Sequence, residues 1–365
     1  MKISIDKSIL WKSLDQISKV ISTKNIIPIL SEILFEVNGS GLSMVGGDGT
    51  VFLKSTIDPE DFQLLRSGSI TIPGRRLIEI VKKLKDVIDI SADGHQIVIK
   101  SGRSKFEMSG MDAEEYPKME LELGQVVSVS GQVLKELVTK TIFATYTKED
   151  APILTGLRIT LTENGIEATG TDRHRLSKTA EKIEDGFDFT TVVGSGSLNE
   201  LVKIIPDKEK VSISFYKDRF IVQTKKFVFS SRVLEGAYPD VDRITPTQFN
   251  SIVTVKTQDF IDALKGVNII ASEQKTNLVK MIVGEEVELS SESDQGKANE
   301  FLEIIKMDGE GFKLSFNAKF ALSALESIDC EETTINFVGR LDPIVFKGVG
   351  NETDFHLMLP YRTEV

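Results

Sequence analysis

"PILTGLRITLTENGIEATGTD" at residues 152–172 repeats "PILSEILFEVNGSGLSMVGGD" at residues 28–48, at an offset of 124 residues with no gap. The identical pairs are Pro28 and Pro152, Ile29 and Ile153, Leu30 and Leu154, Gly41 and Gly165, Gly46 and Gly170, and Asp48 and Asp172. Apolar positions match as well, as Ile33 does with Leu157. Self-similarity at a fixed period indicates that one structural unit is used more than once.

Two more blocks support a repeat of domain size. They are "LIEIVKKL" from Leu77 with "LNELVKII" from Leu198, and Tyr116-Pro117 with Tyr238-Pro239. A fainter third copy, at residues 259–293, keeps the order of helix pattern, polar connection and strand-like runs. Because 365 residues also exceed what one hydrophobic core organises, the sequence predicts three similar domains, at 1–122, 123–247 and 248–365.

The periodicity within each copy predicts an α+β fold. Leu10, Leu14 and Ile17 lie on one helical stripe, whereas "LRITLT" from Leu157 alternates as a strand does. Turn signals such as Asn164-Gly165 join such strands into hairpins. The predicted helices are 7–22, 74–85, 132–146, 196–205, 257–272 and 317–328. Two helices per domain among hairpin-linked strands indicate mainly antiparallel sheets.

Composition excludes several classes of protein. No run of about 18 apolar residues is present, and the N-terminus lacks the pattern of a signal peptide. A single cysteine, Cys330, provides neither an internal disulfide nor a thiolate metal cage. We therefore expect a cytoplasmic protein without metal or cofactor.

The charge is unevenly distributed. The chain has a net charge of −11, which argues against a general nucleic-acid binder. The predicted helices together carry +6, however, and the remainder carries −17. If the helices share one side, that side attracts a polyanion through its phosphates without reading sequence. Charge alone leaves open the alternative of solvated lysines on amphipathic helices.

The segment "EATGTDRHRLSK" at residues 167–178 allows a catalytic interpretation, a binding interpretation and a purely structural one at the end of a strand. Asp172, His174 and Arg175 are candidates for the site of an enzyme acting on nucleic acid or nucleotides, with His174 as a general base. No accompanying nucleophile, metal-ligand spacing or phosphate-loop motif is visible. The favoured interpretation is a binding rim beside an apolar cleft. Thr171, His174 and Arg175 would supply the donors, and the cleft would be formed by Leu176, Pro239, Ile244 and the "HLMLP" tail.

The threefold repeat, "GTDRHRLS", "YPDVDRITP" and the terminal "FHLMLPYR" together resemble the bacterial sliding clamp family, the beta subunit of DNA polymerase III. The resemblance covers the whole chain. It implies domains built from doubled β-α-β-β-β units. It also implies a non-catalytic, head-to-tail homodimeric ring that encloses duplex DNA, is closed by an ATP-driven loader and tethers polymerases and repair factors through short linear motifs.

The resemblance also implies functional positions. The partner-peptide pocket is expected at Leu154, Thr171, Arg173, His174, Arg175, Leu176, Pro239, Arg243, Ile244, Pro343, Leu357, Met358 and Leu359. The DNA-facing set is expected to be Lys12, Lys19, Lys24, Arg75, Arg76, Lys82 and Lys83. The subunit interface is expected to use Phe106, Met108 and Ile270.

Arg173 departs from the family pattern, in which glycine commonly stands between the aspartate and the histidine. A long cation at this point narrows or recharges the mouth of the pocket. The sequence leaves open whether the chain is a main clamp or a specialised second copy. An inert scaffold without a DNA role is a further alternative.

Overall fold

A computed structural model describes residues 1–21, 26–119 and 122–362. These residues form six α-helices and 26 β-strands. The helices are α1 (Lys7–Ser18), α2 (Gly74–Lys83), α3 (Gly131–Thr139), α4 (Ser195–Val202), α5 (Thr257–Ala271) and α6 (Ala318–Leu325). None of them is long and apolar enough to cross a membrane.

The strands follow in chain order. The first nine are β1 (Lys2–Asp6), β2 (Glu32–Asn38), β3 (Gly41–Gly47), β4 (Val51–Ile57), β5 (Phe62–Arg66), β6 (Gly68–Pro73), β7 (Val87–Asp93), β8 (Gln96–Ser101) and β9 (Ser104–Ser109). The next eight are β10 (Val126–Ser130), β11 (Gly156–Thr162), β12 (Gly165–Thr171), β13 (Arg175–Lys182), β14 (Phe189–Gly194), β15 (Lys210–Tyr216), β16 (Arg219–Gln223) and β17 (Phe227–Arg232). The last nine are β18 (Ser251–Lys256), β19 (Leu278–Val283), β20 (Val287–Ser293), β21 (Gly296–Leu302), β22 (Lys306–Gly309), β23 (Phe312–Asn317), β24 (Glu332–Phe337), β25 (Ile344–Gly348) and β26 (Phe355–Met358).

All six predicted helices are present, and each is shorter than predicted. The predicted helix 132–146 ends as α3 at Thr139, where the Thr139 and Thr141 hydroxyls donate to carbonyls four residues back, at 2.9 and 2.5 Å. Such bonds compete with the helical pattern. The predicted Asn164-Gly165 turn is shifted by one residue, because Thr162 pairs with Gly165 and the two turn residues are Glu163 and Asn164.

The chain forms two compact units. The first contains residues 1–132 and 196–233, and the second contains residues 133–195 and 234–365. The segment 123–247, predicted as one domain, therefore contributes strands to both units. The boundaries 1–122, 123–247 and 248–365 stay a prediction.

Unit 1 contains two antiparallel sheets. An eight-stranded sheet has the order β10-β15-β16-β17-β4-β3-β2-β6, and a five-stranded sheet has the order β5-β1-β7-β8-β9. Helix α1 packs on β3 and β4, with Leu10, Leu14 and Ile17 fully buried. The approach is close: a Cβ on Gly46 would lie 2.5 Å from the Ile17 side chain. This contact explains why glycine is needed at Gly46, which the repeat matches with Gly170.

Unit 2 also contains two antiparallel sheets. A nine-stranded sheet has the order β14-β11-β12-β13-β26-β25-β24-β18-β22, and a four-stranded sheet has the order β21-β20-β19-β23. Helices α5 and α6 pack against each other over a core that includes Phe260, Phe316 and Phe346. A Cβ on Gly170 would lie 2.6 Å from the Thr141 carbonyl oxygen. The second shared glycine is therefore also required by close packing.

Six β-α-β-β-β repeats, two in each third of the chain, account for 24 of the 26 strands, and β5 and β22 are additional. Their last strands are β4, β9, β13, β17, β21 and β26. Two long sheets arise because β17 pairs with β4 and β13 pairs with β26, both antiparallel. In the described residues β9 pairs only with β8, and β21 only with β20. Two of the six last strands therefore keep an unpaired edge.

His356 on β26 is a buried polar side chain in the core of unit 2. Its two ring nitrogens lie 2.8 Å from the Ser177 hydroxyl and 3.1 Å from the Ser327 hydroxyl. Burial lowers the pKa of His356 to about 4, while Asp354 opposes the shift. The imidazole is therefore neutral at pH 7.

We predict that this histidine makes the fold sensitive to mild acid. Its pKa is lower in the folded state than in the unfolded chain, so its contribution is complete above pH 6.5 and is lost as the pH falls towards 4. The free energy of unfolding should fall by up to about 1.4 kcal/mol per pH unit in this window. Urea unfolding at pH 7 and pH 5, at one protein concentration, measures this slope. His356→Gln keeps polar atoms near both serines and should remove this part of the slope; an equal slope in both proteins contradicts the assignment.

Candidate functional site

The turn between β12 and β13 is held by its own polar side chains. Oδ1 of Asp172 accepts the backbone N–H groups of His174 and Arg175, both at 2.9 Å. Oδ2 accepts from Nε of Arg175 at 2.9 Å. The Thr171 hydroxyl donates to the Arg175 carbonyl at 2.7 Å and accepts from the Arg173 N–H at 3.2 Å. The polar cluster of residues 171–175 is thus a self-bonded turn.

This arrangement is unsuited to acid–base catalysis. Both oxygens of Asp172 already accept hydrogen bonds from the turn, so this carboxylate does not orient the imidazole of His174. His174 itself is exposed. In the described part of the chain, no three His, Cys, Asp or Glu side chains are grouped so as to hold a metal ion.

Arg175 is partly buried against aromatic side chains. Its guanidinium lies 4.3 Å from the ring centroid of Phe320 and 5.7 Å from that of Phe143. Burial lowers the pKa of Arg175, and the ion pair with Asp172 opposes that effect. The group stays charged, because arginine titrates far above neutral pH. Arg175 was predicted as a rim donor; the structure instead packs it between two aromatic rings, a pair of neighbours that the sequence did not indicate.

Arg173 is exposed at the tip of the turn. Its φ of +75° lies in the left-handed region, where a side chain costs about 1–2 kcal/mol. Gly49 occupies the matching position of the first repeat with φ of +95°. The Arg173 guanidinium lies 5.9 Å from the ring centroid of Tyr146. Among the described residues, no carboxylate forms an ion pair with it.

A buried apolar cluster adjoins this turn. Leu176, Val241, Val345 and Leu357 form a buried cluster, against which Tyr238, Phe249 and Phe355 pack. Leu359 is 41% exposed, and its N–H donates to the His174 carbonyl at 2.8 Å. Ile244, which follows Val241 in a short 3₁₀ turn, is 52% exposed. We call the candidate peptide-binding surface over this cluster, from Leu176 and Leu357 out to Leu359 and Ile244, the tail groove.

The remaining predicted pocket residues occupy different environments. Pro239 is exposed beside Tyr238, Pro343 is half-buried, and Arg243 is exposed and forms an ion pair with Asp240 at 2.8 Å. Leu154 is buried, and its carbonyl accepts the Tyr146 N–H at 2.8 Å. Met358 points to the opposite face of β26 from Leu357 and packs into the core of unit 2. The structure therefore does not bring Met358 into the tail groove.

The sequence did not single out every residue of the tail groove. Val241 and Val345 belong to its buried cluster and were not predicted. Val241 lies within "YPDVDRITP", two residues after Pro239, and Val345 two residues after Pro343. Their positions beside predicted pocket residues were the available signal.

The predicted DNA-facing residues lie on α1 and α2, which pack side by side in unit 1. Lys12, Arg75, Arg76, Lys82 and Lys83 are exposed, and Lys19 is half-exposed. Local contacts hold several of them: Lys19 pairs with Asp15 at 3.5 Å, Arg75 pairs with Glu79 at 3.2 Å, and Lys82 lies 5.3 Å from the Trp11 ring centroid. Lys24 lies outside the described residues.

The predicted interface residues lie near the two unpaired edges. Phe106 and Met108 are half-buried on β9 of unit 1, and Ile270 is half-buried on α5 of unit 2. Phe301 on β21, which is 55% exposed, and Ile269 on α5, which is 70% exposed, lie in the same regions and were not predicted. An exposed phenylalanine on an edge strand was the signal available.

Comparison with known proteins places this fold in the class of DNA clamps. Three family models match in order: DNA polymerase III beta subunit N-terminal domain at residues 1–120, central domain at 128–240 and C-terminal domain at 242–362. The chain belongs to the DNA polymerase III beta subunit family. It has the function of that family, a non-catalytic sliding clamp for polymerase processivity.

Individual relatives agree over full length. The chain is 32% identical over 377 residues to the beta sliding clamp of Bacillus subtilis (strain 168), and 32% identical over 375 residues to that of Staphylococcus aureus (strain COL), with both chains covered completely in each case. The solved sliding clamp from Bacillus subtilis matches with a TM-score of 0.96 at 31% identity, over 100% of this chain and 99% of that one. The polymerase beta subunit from Streptococcus pyogenes matches at 0.95 and 29%, over all of both chains.

Proposed function

We propose that two copies of the chain join head to tail into a ring that encloses duplex DNA. In this ring, the basic residues of α1 and α2 face the phosphates. Each copy recruits polymerases, the clamp loader and repair proteins through short linear motifs that bind the tail groove. These interactions occur in the cytoplasm at the nucleoid.

The observation that carries this proposal is the number of unpaired last strands. Within the chain, two junctions are made by antiparallel pairing of last strands, β17 with β4 and β13 with β26. The remaining two, β9 and β21, are free on one side among the described residues. Pairing β9 of one copy with β21 of another repeats the same junction between unlike surfaces. Such a contact closes into a ring if its rotation permits.

Apolar side chains near these strands support the same contact. Phe106 and Met108 on β9 would meet Phe301 and its neighbours Ile269 and Ile270. Burying exposed apolar area is favourable by about 25 cal/mol per Å². The contact therefore removes both a sheet edge and an apolar patch from water.

The basic residues of α1 and α2 suit a DNA duplex that must be bound weakly enough to slide. Lys12, Arg75, Arg76, Lys82 and Lys83 present positive charge from α1 and α2, although the whole chain carries −11. Contacts with phosphates are non-specific and exchange readily with salt. Such contacts centre the duplex in the ring and allow it to slide.

The tail groove has the features that peptide recognition needs. Buried Leu176 and Leu357 form an apolar floor, while exposed Leu359 and Ile244 offer contact area at its rim. A few polar groups orient a ligand in such a groove, and His174 with Arg173 supply them here. Arg173 is held in a strained conformation and has no carboxylate partner among the described residues. Positive charge is therefore available to a bound motif.

The topological proposal predicts release from cut DNA. The protein is loaded onto nicked circular DNA with a bacterial clamp loader and ATP, and the isolated complex is then linearised. A linked ring slides off the free ends, whereas the uncut circle retains it. Retention on linear DNA would overturn the proposal, and so would failure to remain on the uncut circle. An enzyme or an inert scaffold would not show this difference.

The interface predicts a dimer that depends on Phe301. Sedimentation at micromolar concentration should give about twice the chain mass of 40.4 kDa. Phe301→Glu places a charge on the exposed face of β21 and should shift the protein to the monomer. Val349→Glu, at a 46% exposed position on another hairpin of unit 2, is the control and should remain dimeric. A dimeric Phe301→Glu variant means that β21 is not the contact.

The tail groove predicts a loss of peptide affinity when Leu359 is truncated. Leu176 is fully buried, so its replacement also costs folding stability, and Leu359 gives the cleaner test. A fluorescein-labelled peptide with one glutamine, two leucines and a phenylalanine should bind Leu359→Ala about tenfold more weakly, a change of about 1.4 kcal/mol. Leu65→Ala, an exposed leucine on β5, should bind as the unmodified protein does. Equal affinity for all three proteins excludes Leu359 from the site.

A further inference from the structure

Unit 1 contains a second copy of the turn that adjoins the tail groove. Oδ1 of Asp48 accepts the backbone N–H groups of Thr50 and Val51, both at 2.9 Å. Asp172 makes the same two bonds at the same distances to residues 174 and 175. The offset between the two turns is the 124 residues of the sequence repeat.

The strands that follow these turns are paired in the same register. Phe52 on β4 lies opposite Ser230 on β17, as Leu176 on β13 lies opposite Leu357 on β26. The Arg232 N–H donates to the Thr50 carbonyl at 3.0 Å. This bond corresponds to that between Leu359 and His174 in unit 2. Ser230 and Arg232 thus occupy the positions that Leu357 and Leu359 occupy in the tail groove.

A groove of about 610 Å³ lies at this turn in unit 1. Leu30 and Phe52 are buried in its floor, and Pro117 and Met119 line it. A volume of this size lies within the range of ligand-binding clefts. We call it the repeat groove. Its floor residues Leu30 and Phe52 match Leu154 and Leu176 of the second repeat.

The repeat groove differs from the tail groove in charge. Of the described residues, Arg219, Arg232 and Lys118 line it, and Asp218 is the one carboxylate among them that does. Arg219 donates to the Thr50 carbonyl at 3.1 Å and lies 5.7 Å from the Phe52 ring centroid. The Arg232 side chain is 60% exposed, and its Nε forms a long ion pair of 3.7 Å with the Asp218 carboxylate. A net positive groove in a chain with a net charge of −11 favours an anionic ligand.

We propose that the repeat groove is a second peptide-binding site, which takes linear segments that combine an apolar side chain with acidic residues. The apolar side chain packs over Phe52 and Leu30, and the carboxylates face Arg232 and Arg219. This inference rests on the proposed function, because it compares the repeat groove with the tail groove as a peptide-binding site. The apolar floor distinguishes this ligand from single-stranded nucleic acid, which binds through repeated phosphate contacts and stacking on exposed aromatic rings. One copy of the chain then holds two different partners at once.

The test uses the full-length chain and two fluorescein-labelled peptides. One carries Leu-Phe flanked by two glutamates on each side, and the other carries glutamines in place of the glutamates. Fluorescence anisotropy is measured in the Leu359→Ala background, so that binding in the tail groove is weakened. The acidic peptide should bind at least fivefold more tightly than the glutamine peptide, and its affinity should fall as salt rises.

Arg232→Ala in the same background should lower the affinity for the acidic peptide at least fivefold. Lys225→Ala is the matched control, since Lys225 is exposed near the opposite end of β17 and does not line the groove. Circular dichroism confirms that each variant is folded. Unchanged affinity in Arg232→Ala, equal binding of the two peptides, or competition by an unlabelled oligothymidylate but not by unlabelled acidic peptide would each overturn the proposal.

The two proposals fail separately. Arg232→Ala is also measured in the chain with Leu359 intact. There the peptide with one glutamine, two leucines and a phenylalanine reports on the tail groove. If Leu359→Ala leaves that peptide unaffected, the assignment of the tail groove is wrong. The response of the acidic peptide to Arg232→Ala still decides the repeat groove.

Discussion

Backbone pairing between the last strands of successive repeats is the interaction on which the rest of the structure depends. A strand at the edge of a sheet leaves a row of N–H and C=O groups unpaired. The chain satisfies four of its six last strands internally, through β17 with β4 and β13 with β26. Both grooves lie where such a junction meets the aspartate-held turn before β4 or β13. Among the described residues β9 and β21 keep one edge unpaired, and the proposed ring would join them in the same way.

Much of the local structure could be predicted from the sequence. The offset of 124 residues identified repeating units, and the stripe of Leu10, Leu14 and Ile17 identified α1. The helix ends were less predictable, because hydroxyls such as that of Thr139 bond locally to the backbone. The pairing of β17 with β4 was not predicted, since a periodicity reports which face of a strand is buried and does not report its neighbour.

The candidate site was predictable only in part, because a sequence pattern does not report which distant residues a side chain contacts. Asp172 was selected as a polar residue of a short motif, yet its role in bonding its own turn depends on backbone geometry. Arg175 was expected at a rim, and its burial between Phe143 and Phe320 depends on residues distant in the sequence. Met358 was grouped with its neighbours, although alternate side chains of a strand face opposite ways. Short motifs locate a site better than they assign its members.

Sharing sheets between successive repeats has a consequence for dissecting the protein. The middle third of the chain provides β13 to one sheet and β17 to another, and each needs a strand from a different third to cover it. A fragment cut at residues 123 and 247 would expose both edges together. Exposed edges of this kind pair with other chains and aggregate. Each compact unit is made of two separate segments of the chain, so the covalent order of the chain is a poor guide to where it can be divided.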